Sequence, residues 1–210
     1  MTQASRRESR GITERWHQDK DAGWVIKADT NGRGKFTFGY KVSLLIDTAY
    51  ELPLAVHVMS GNKHETKAVS TLFSQLRWIN SKFHPQYVIA DGAYSSEAIR
   101  HLIHRQYRAI PIIKTNPRHK RAIKAYPESP EWQLIYNRRT SVERVFARLK
   151  AHRKLNSLRV RGINKVKIHC LLSVMALQAQ VLATRRRASV RRIIGLTWPT
   201  KQLTRQQLLV

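Results

Sequence analysis

Four side chains suited to phosphate chemistry recur at fixed intervals late in the chain: Tyr136, Arg139, Glu143 and Lys150. Wound at roughly 100° per residue, the four fall within about 60° of arc and so share one helix face. Val142, Phe146 and Leu149 form the adjacent apolar stripe that would dock such a helix on a core. A carboxylate in line with two cations and a phenol matches what phosphodiester chemistry requires. The carboxylate holds Mg²⁺, which polarises the phosphate and activates the attacking oxygen, while the cations hold the strand. Asp91 closes the apolar run Tyr87-Val88-Ile89-Ala90, at the carboxyl end of a strand, where α/β sheets present their ligands. Ordinary structure offers plainer accounts. Arg139 and Glu143 could be an i,i+4 surface pair in the weaker orientation, and Asp91 could simply start a turn.

The elements that must position these residues can be read from periodicity. Lys35–Asp47 alternates and then runs apolar, and Leu52–Met59 reads as its hairpin partner, with Asp47 in the turn. Trp24–Lys27 followed by Asn31-Gly32 reads as a further strand and turn. Helices are expected over 64–83, 95–107, 135–155 and 163–183, and short strands at 87–91 and 109–114. Residues 115–134, with Pro117, Pro127 and Pro130, read as a loop. Strands alternating with helices indicate an α/β fold with a mixed sheet flanked by helices. The expected organisation is a loose polar arm at 1–22, a catalytic domain at 23–160, a packing helix at 161–184 and a basic tail at 185–210.

Charge narrows the partner. The 210 residues hold 39 Lys and Arg against 13 Asp and Glu, a net charge of +26. The 67 residues after Glu143 contain 16 Lys or Arg and no carboxylate, with Arg185, Arg186 and Arg187 in a row. A solvated face normally mixes both signs, so this stretch points to polyanion binding, nucleic acid before anionic membrane. Phosphate contacts of this kind carry no sequence information. The single cysteine, Cys170, excludes a disulfide scaffold and a cysteine-based zinc site. The longest apolar candidate for a membrane span, residues 170–183, reads as too short, so no membrane partner is expected and the cytoplasm is the default compartment. His101 and His104 lack a third ligand. Trp24, Trp78 and Trp132 are read as packing residues, and His64 as a polar helix start.

The spacing Tyr136-(2)-Arg139-(3)-Glu143-(6)-Lys150 resembles the Y-(2)-R-(3)-E-(6)-K signature of bacterial insertion-sequence transposases of the DDE type. Tyr87–Tyr94 is similar to the strand bearing that family's second catalytic Asp. Phe38–Lys41, Leu52–Ala55 and Gly61–Glu65 resemble its hairpin and following helix start, so the likeness spans roughly residues 20–184. It implies an RNase H-like fold, two Mg²⁺ (with Mn²⁺ as substitute), and cleavage and transfer of double-stranded DNA at element ends. Water and then a 3′-hydroxyl would be the nucleophiles. Asp91 and Glu143 would be the catalytic, metal-holding acids. Tyr136, Arg139 and Lys150, with Arg185–Arg187, would contact DNA. A homodimer would handle two ends, in the cytoplasm and associated with the nucleoid. No apolar strand carrying the family's first Asp precedes Gly39, and Asp29 is the weak substitute. The sequence therefore suggests a truncated copy lacking the first strand, with a basic helical C-terminal extension. The rival readings are a DNA-binding remnant without catalysis and a basic RNA-binding structural protein.

Overall fold

The computed structural model describes residues 19–28, 34–115, 129–193 and 207–209. In chain order these form β1 (Gly23–Ala28), β2 (Gly34–Asp47), β3 (Leu52–Ser60), α1 (Lys67–Ile79), β4 (Tyr87–Ala90) and α2 (Glu97–Tyr107). There follow β5 (Ile110–Ile113), α3 (Pro130–Tyr136), α4 (Thr140–Arg153), α5 (Ile163–Ile193) and β6 (Gln207–Leu209). β2 and β3 make the expected antiparallel hairpin, and β4 and β5 pair in parallel, as strands joined through a crossover helix do. β6 lies between them, antiparallel to β2 and parallel to β4, so the sheet runs β3-β2-β6-β4-β5. β1 pairs with the first half of β2.

Period-2 alternation sends side chains to both faces, and each face is covered by helices. Leu45, Val88 and Ile113 pack with Leu72 and Phe73 of α1 and Ile103 of α2. Leu44, Ile46, Ile89 and Ile112 pack with Val145 and Leu149 of α4 and Val166, Cys170 and Leu177 of α5. The result is a three-layer α/β arrangement, which is why the strands read as apolar runs rather than strict alternation. Each such side chain, fully buried, contributes about 1.5–3 kcal/mol. Arg100 of α2 is also buried and donates from Nη2 to the Ile113 carbonyl at 2.8 Å, tying α2 to the end of β5.

The β2–β3 turn is built as its residues suggest. Asp47 Oδ1 accepts from the Ala49 amide at 2.8 Å, the Asx turn expected of Asp. Glu51 takes the left-handed region at φ 50°, held by ion pairs to Arg144 and Arg148 of α4. Where β3 stops at Ser60, β1 begins. A Cβ on Gly61 would lie 2.4 Å from the Gly23 carbonyl and one on Gly23 2.5 Å from Ser60 Oγ, so only glycine permits this junction.

Several expectations need correction. The helix read over 135–155 begins at Pro130 and is broken by a 3₁₀ turn at Asn137–Arg139. Ser129 caps it by accepting from the Trp132 amide at 3.1 Å, and Pro130 sits in the first turn, where its missing N–H costs nothing. A proline read as a loop marker is therefore a helix start. Of the arm expected over 1–22, residues 1–18 lie outside the described residues, and 19–22 are tied to the fold: Asp19 accepts from Tyr40 Oη at 2.7 Å and the Gly162 amide at 2.9 Å, and Asp21 from the Ile163 amide at 2.9 Å. α5 continues past 183 to Ile193, because the arginines that follow are good helix formers without a Gly or Pro among them. Its Ile163–Thr184 portion is long and apolar enough to cross a membrane by length and composition, unlike the shorter 170–183 window. One side of that portion, with Val166, Cys170, Val174 and Leu177, belongs to the core. Trp78 is not a packing residue; it is 89% exposed. Trp24 tilts against Phe38, and Trp132 stacks on Tyr136. β6 was read as part of the tail.

Candidate functional site

β4 ends at Ala90, and Asp91 follows with its backbone extended. Asp91 Oδ1 accepts from the Ala93 amide at 3.0 Å and caps the 3₁₀ turn Gly92–Tyr94. The turn-forming role and the strand-end position therefore coexist, with the exposed carboxylate at the mouth of a cleft of about 460 Å³. Asp91, Arg139 and Lys150 all line that cleft, as do Lys41 and Glu65. Sequence reading thus placed three of its residues around one opening.

The 3₁₀ turn sets the positions of the others. Arg139 lies in it, its guanidinium carbon 6.0 Å from the Tyr136 ring centre and its Nη1 2.9 Å from Glu143 Oε1. Tyr136, Arg139 and Glu143 are thus in series although the helix between them is interrupted. Glu143 stands in the first turn of α4, where the helix dipole favours a carboxylate. Neither Glu143 nor Tyr136 lines the cleft, but each adjoins Arg139, which does. Lys150, two turns on, lies 6.0 Å from the Phe146 ring centre. The side chains of Arg185, Arg186 and Arg187 lie outside the described residues, although the α5 backbone carries these positions. Asp29 also lies outside the described residues.

Lys41 and Tyr94 were not assigned to the site by sequence. Lys41 donates to the Lys63 carbonyl at 2.9 Å and lies 3.8 Å from Glu65, which fixes its ammonium at the cleft wall. No local signal in the sequence marks it, because its neighbours in the cleft come from distant elements. Tyr94 is buried beneath the opening; burial first, and then the Glu65 charge, push its hydroxyl up to about 12. It stays a neutral phenol. Tyr40, pressed up by burial and by its bond to Asp19, likewise remains protonated. His64 does act as a helix-start residue, its Nδ1 2.8 Å from Thr66 Oγ1.

The cleft therefore sets a strand-end carboxylate among three cations, with Glu65 beside Lys41 in the lining and Glu143 joined to Arg139 outside it. Such a set can grip a phosphate and offer hard oxygen donors beside it. Comparison with known proteins bears on the same elements: the family model for the transposase DDE domain matches residues 6–178. The chain belongs to this family. Among relatives, a Brucella ovis protein named as a transposase for insertion sequence element IS6501 is 29% identical over 115 residues, covering 55% of this chain and 78% of that one. No solved structure matches the chain. The insertion-sequence transposase assignment thus rests on the matched stretch that holds β1–β5, α1–α4 and the first half of α5, including every residue of the cleft.

Among the described residues no group of three or more His, Cys, Asp or Glu side chains gathers. Among those residues, then, fewer than three such side chains cluster at any one place. Mg²⁺, however, is commonly held by one or two carboxylates, with water and substrate phosphate completing the shell. Asp91, next to cations that would bring phosphate, fits that pattern, while Glu143 stands outside the lining, joined to Arg139.

Proposed function

We propose that this chain is an insertion-sequence transposase that binds double-stranded DNA and cleaves and transfers its strands at the cleft below Asp91. The supporting observation is the convergence of Asp91, Arg139 and Lys150 on one opening, with Glu143 bound to Arg139. Arg139, Lys150 and Lys41 hold phosphates, and Tyr136 keeps the Arg139 guanidinium in place. A bound Mg²⁺ or Mn²⁺, held by Asp91 and Glu143, would polarise the phosphate and activate water or a 3′-hydroxyl. An RNase H-like reading of the fold is supported by the mixed order β3-β2-β6-β4-β5, with its central strand antiparallel to one neighbour and parallel to the other. The carboxylate-free stretch after Glu143 supplies the sequence-independent grip on DNA. Two DNA ends call for two copies, and DNA places the protein in the cytoplasm on the nucleoid.

A second reading, a DNA-binding remnant without catalysis, is favoured by the lack of any group of three or more His, Cys, Asp or Glu side chains among the described residues. Supercoiled plasmid bearing the element ends, incubated with the purified chain in Mg²⁺, distinguishes the two. Nicking that disappears in Asp91→Asn supports the transposase reaction. Salt-sensitive binding without nicking supports the remnant.

A further inference from the structure

Helix α5 is apolar on two sides. Val166, Cys170, Val174 and Leu177 belong to the core that α5 shares with α4 and the sheet. Ile168, Leu171, Leu172, Met175 and Leu182 do not; they are between 48% and 62% exposed. Ala179 is exposed with them. At roughly 100° per residue these six positions fall within about 100° of arc, on the side away from the core. The fold accounts for the first set and leaves the second facing outward.

Spacing narrows what can cover the outward set. Ile168, Leu172, Met175, Ala179 and Leu182 follow at intervals of four, three, four and three, the heptad rhythm by which one helix lies along another. A helix that only packs on a sheet has no need of that rhythm on its far side. The row runs about 21 Å and presents on the order of 500 Å² of apolar surface. Two such rows face to face bury about 1,000 Å², the threshold of a specific interface. α5 is already held by its inner side, so association along the outer one orders no backbone. Ala179, small between Met175 and Leu182, leaves room for a large side chain from across the seam.

Charge decides between occupants. No Lys, Arg, Asp or Glu occurs between Lys167 and Arg185, in a chain with 39 Lys and Arg. DNA finds no cation for its phosphates on such a row. A helix lying on an anionic bilayer carries Lys and Arg beside its apolar face, whereas this row is flanked by His169, Ala176, Gln178 and Ala183. Two copies of a chain of net charge +26 repel each other wherever cations meet. Along this row they do not meet, and a two-fold axis sets the same apolar surface on both sides.

We propose that the outward row of α5 is the interface of a homodimer, the row of one copy packing along that of the other. The dimer rests on spacing, exposure and charge and not on the cleavage reading.

Sedimentation of the full chain, nuclease-treated and in high salt so that no DNA bridges two copies, tests it. At about 50 μM, above the micromolar Kd expected of an interface this size, the parent should sediment at twice the 24.4 kDa of one chain. Leu172→Gln combined with Met175→Gln removes apolar contact from both copies at little cost in helix propensity, and should weaken the dimer at least a hundredfold. Ala179→Lys takes no buried contact from the monomer and should have the same effect by placing like charges in the seam. Trp78→Gln, at the exposed end of α1, should leave the dimer intact. A monomeric parent, a dimer that survives both α5 variants, or one lost in Trp78→Gln would overturn the interface. A monomeric parent that floats with phosphatidylcholine vesicles, and no longer does so in the double variant, would make a bilayer the occupant and overturn the second copy. Neither DNA nor metal enters the measurement, so failure of the nicking reaction leaves it untouched.

Discussion

Replacing Glu143 with Gln separates a catalytic carboxylate from a surface ion pair. The pair to Arg139 is short, at 2.9 Å, but the side chains are 57% and 30% exposed. Exposed helical pairs of this kind contribute about 0.3–0.5 kcal/mol, and Arg preceding Glu is the weaker order. In a chain of this size 1 kcal/mol moves the thermal midpoint by about 2–4 °C. Gln keeps the shape and most of the helix propensity, so the midpoint should change by less than about 2 °C. The chemical consequence is of another order. A ligand to the ion that polarises phosphate supplies several kcal/mol of transition-state stabilisation, and at 1.36 kcal/mol per tenfold a loss of about 4 kcal/mol is roughly 10³ in rate. DNA affinity should hold or rise slightly, since a negative charge near phosphate is gone. The parent, Glu143→Gln and Arg139→Ala are compared for midpoint, DNA affinity, plasmid nicking, and Mn²⁺ affinity of the DNA-bound protein, which needs no turnover. Arg139→Ala should lose DNA affinity and nicking together. A Glu143→Gln protein that nicks within about threefold of the parent, or binds Mn²⁺ unchanged, would remove the catalytic assignment.

DNA affinity should fall steeply with salt: six to ten phosphate contacts give a slope of log K against log salt of about −5 to −9, and a flat filter-binding titration would contradict the basic surface. Asp19→Ala should cost about 1 kcal/mol, as loss of a helix cap does, and lower the melting point by roughly 2–4 °C. Burial raises the Asp19 carboxyl, yet the Gly162 amide and the Tyr40 hydroxyl hold it below the usual value of 3.8. Its contribution is therefore present above that value and lost as pH falls through the folded pKa, so the gap between Asp19→Ala and parent should close in acid. His57 is held below its usual 6.5 by burial and then by Lys167. A neutral His57 must accept a proton on unfolding, so parent stability should drop as pH falls below about 6.5. Denaturant titrations at pH 7, 6 and 5 should show that drop flattened in His57→Gln.

Much of the site could be read from local sequence because its parts are local. Tyr136, Arg139, Glu143 and Lys150 lie within four turns of chain, so helical spacing alone places them on one side, and the 3₁₀ break between α3 and α4 leaves Arg139 within reach of both neighbours. The place of Asp91 was legible because a short apolar run ending in an acid marks a strand end and the turn that follows it. The hairpin and the apolar helix stripes followed from periods of 2 and 3.6. What sequence could not hold is anything that depends on long-range contact. Asp19 and Asp21 look like part of a polar arm until α5 brings its amides to them across more than 140 residues. Lys41 becomes a cleft residue only once β2 and β4 stand in one sheet. Gln207–Leu209 has too few residues to show any period, and no propensity distinguishes it from tail. Its strand state comes from backbone pairing with β2 on one side and β4 on the other, partners that local sequence cannot supply.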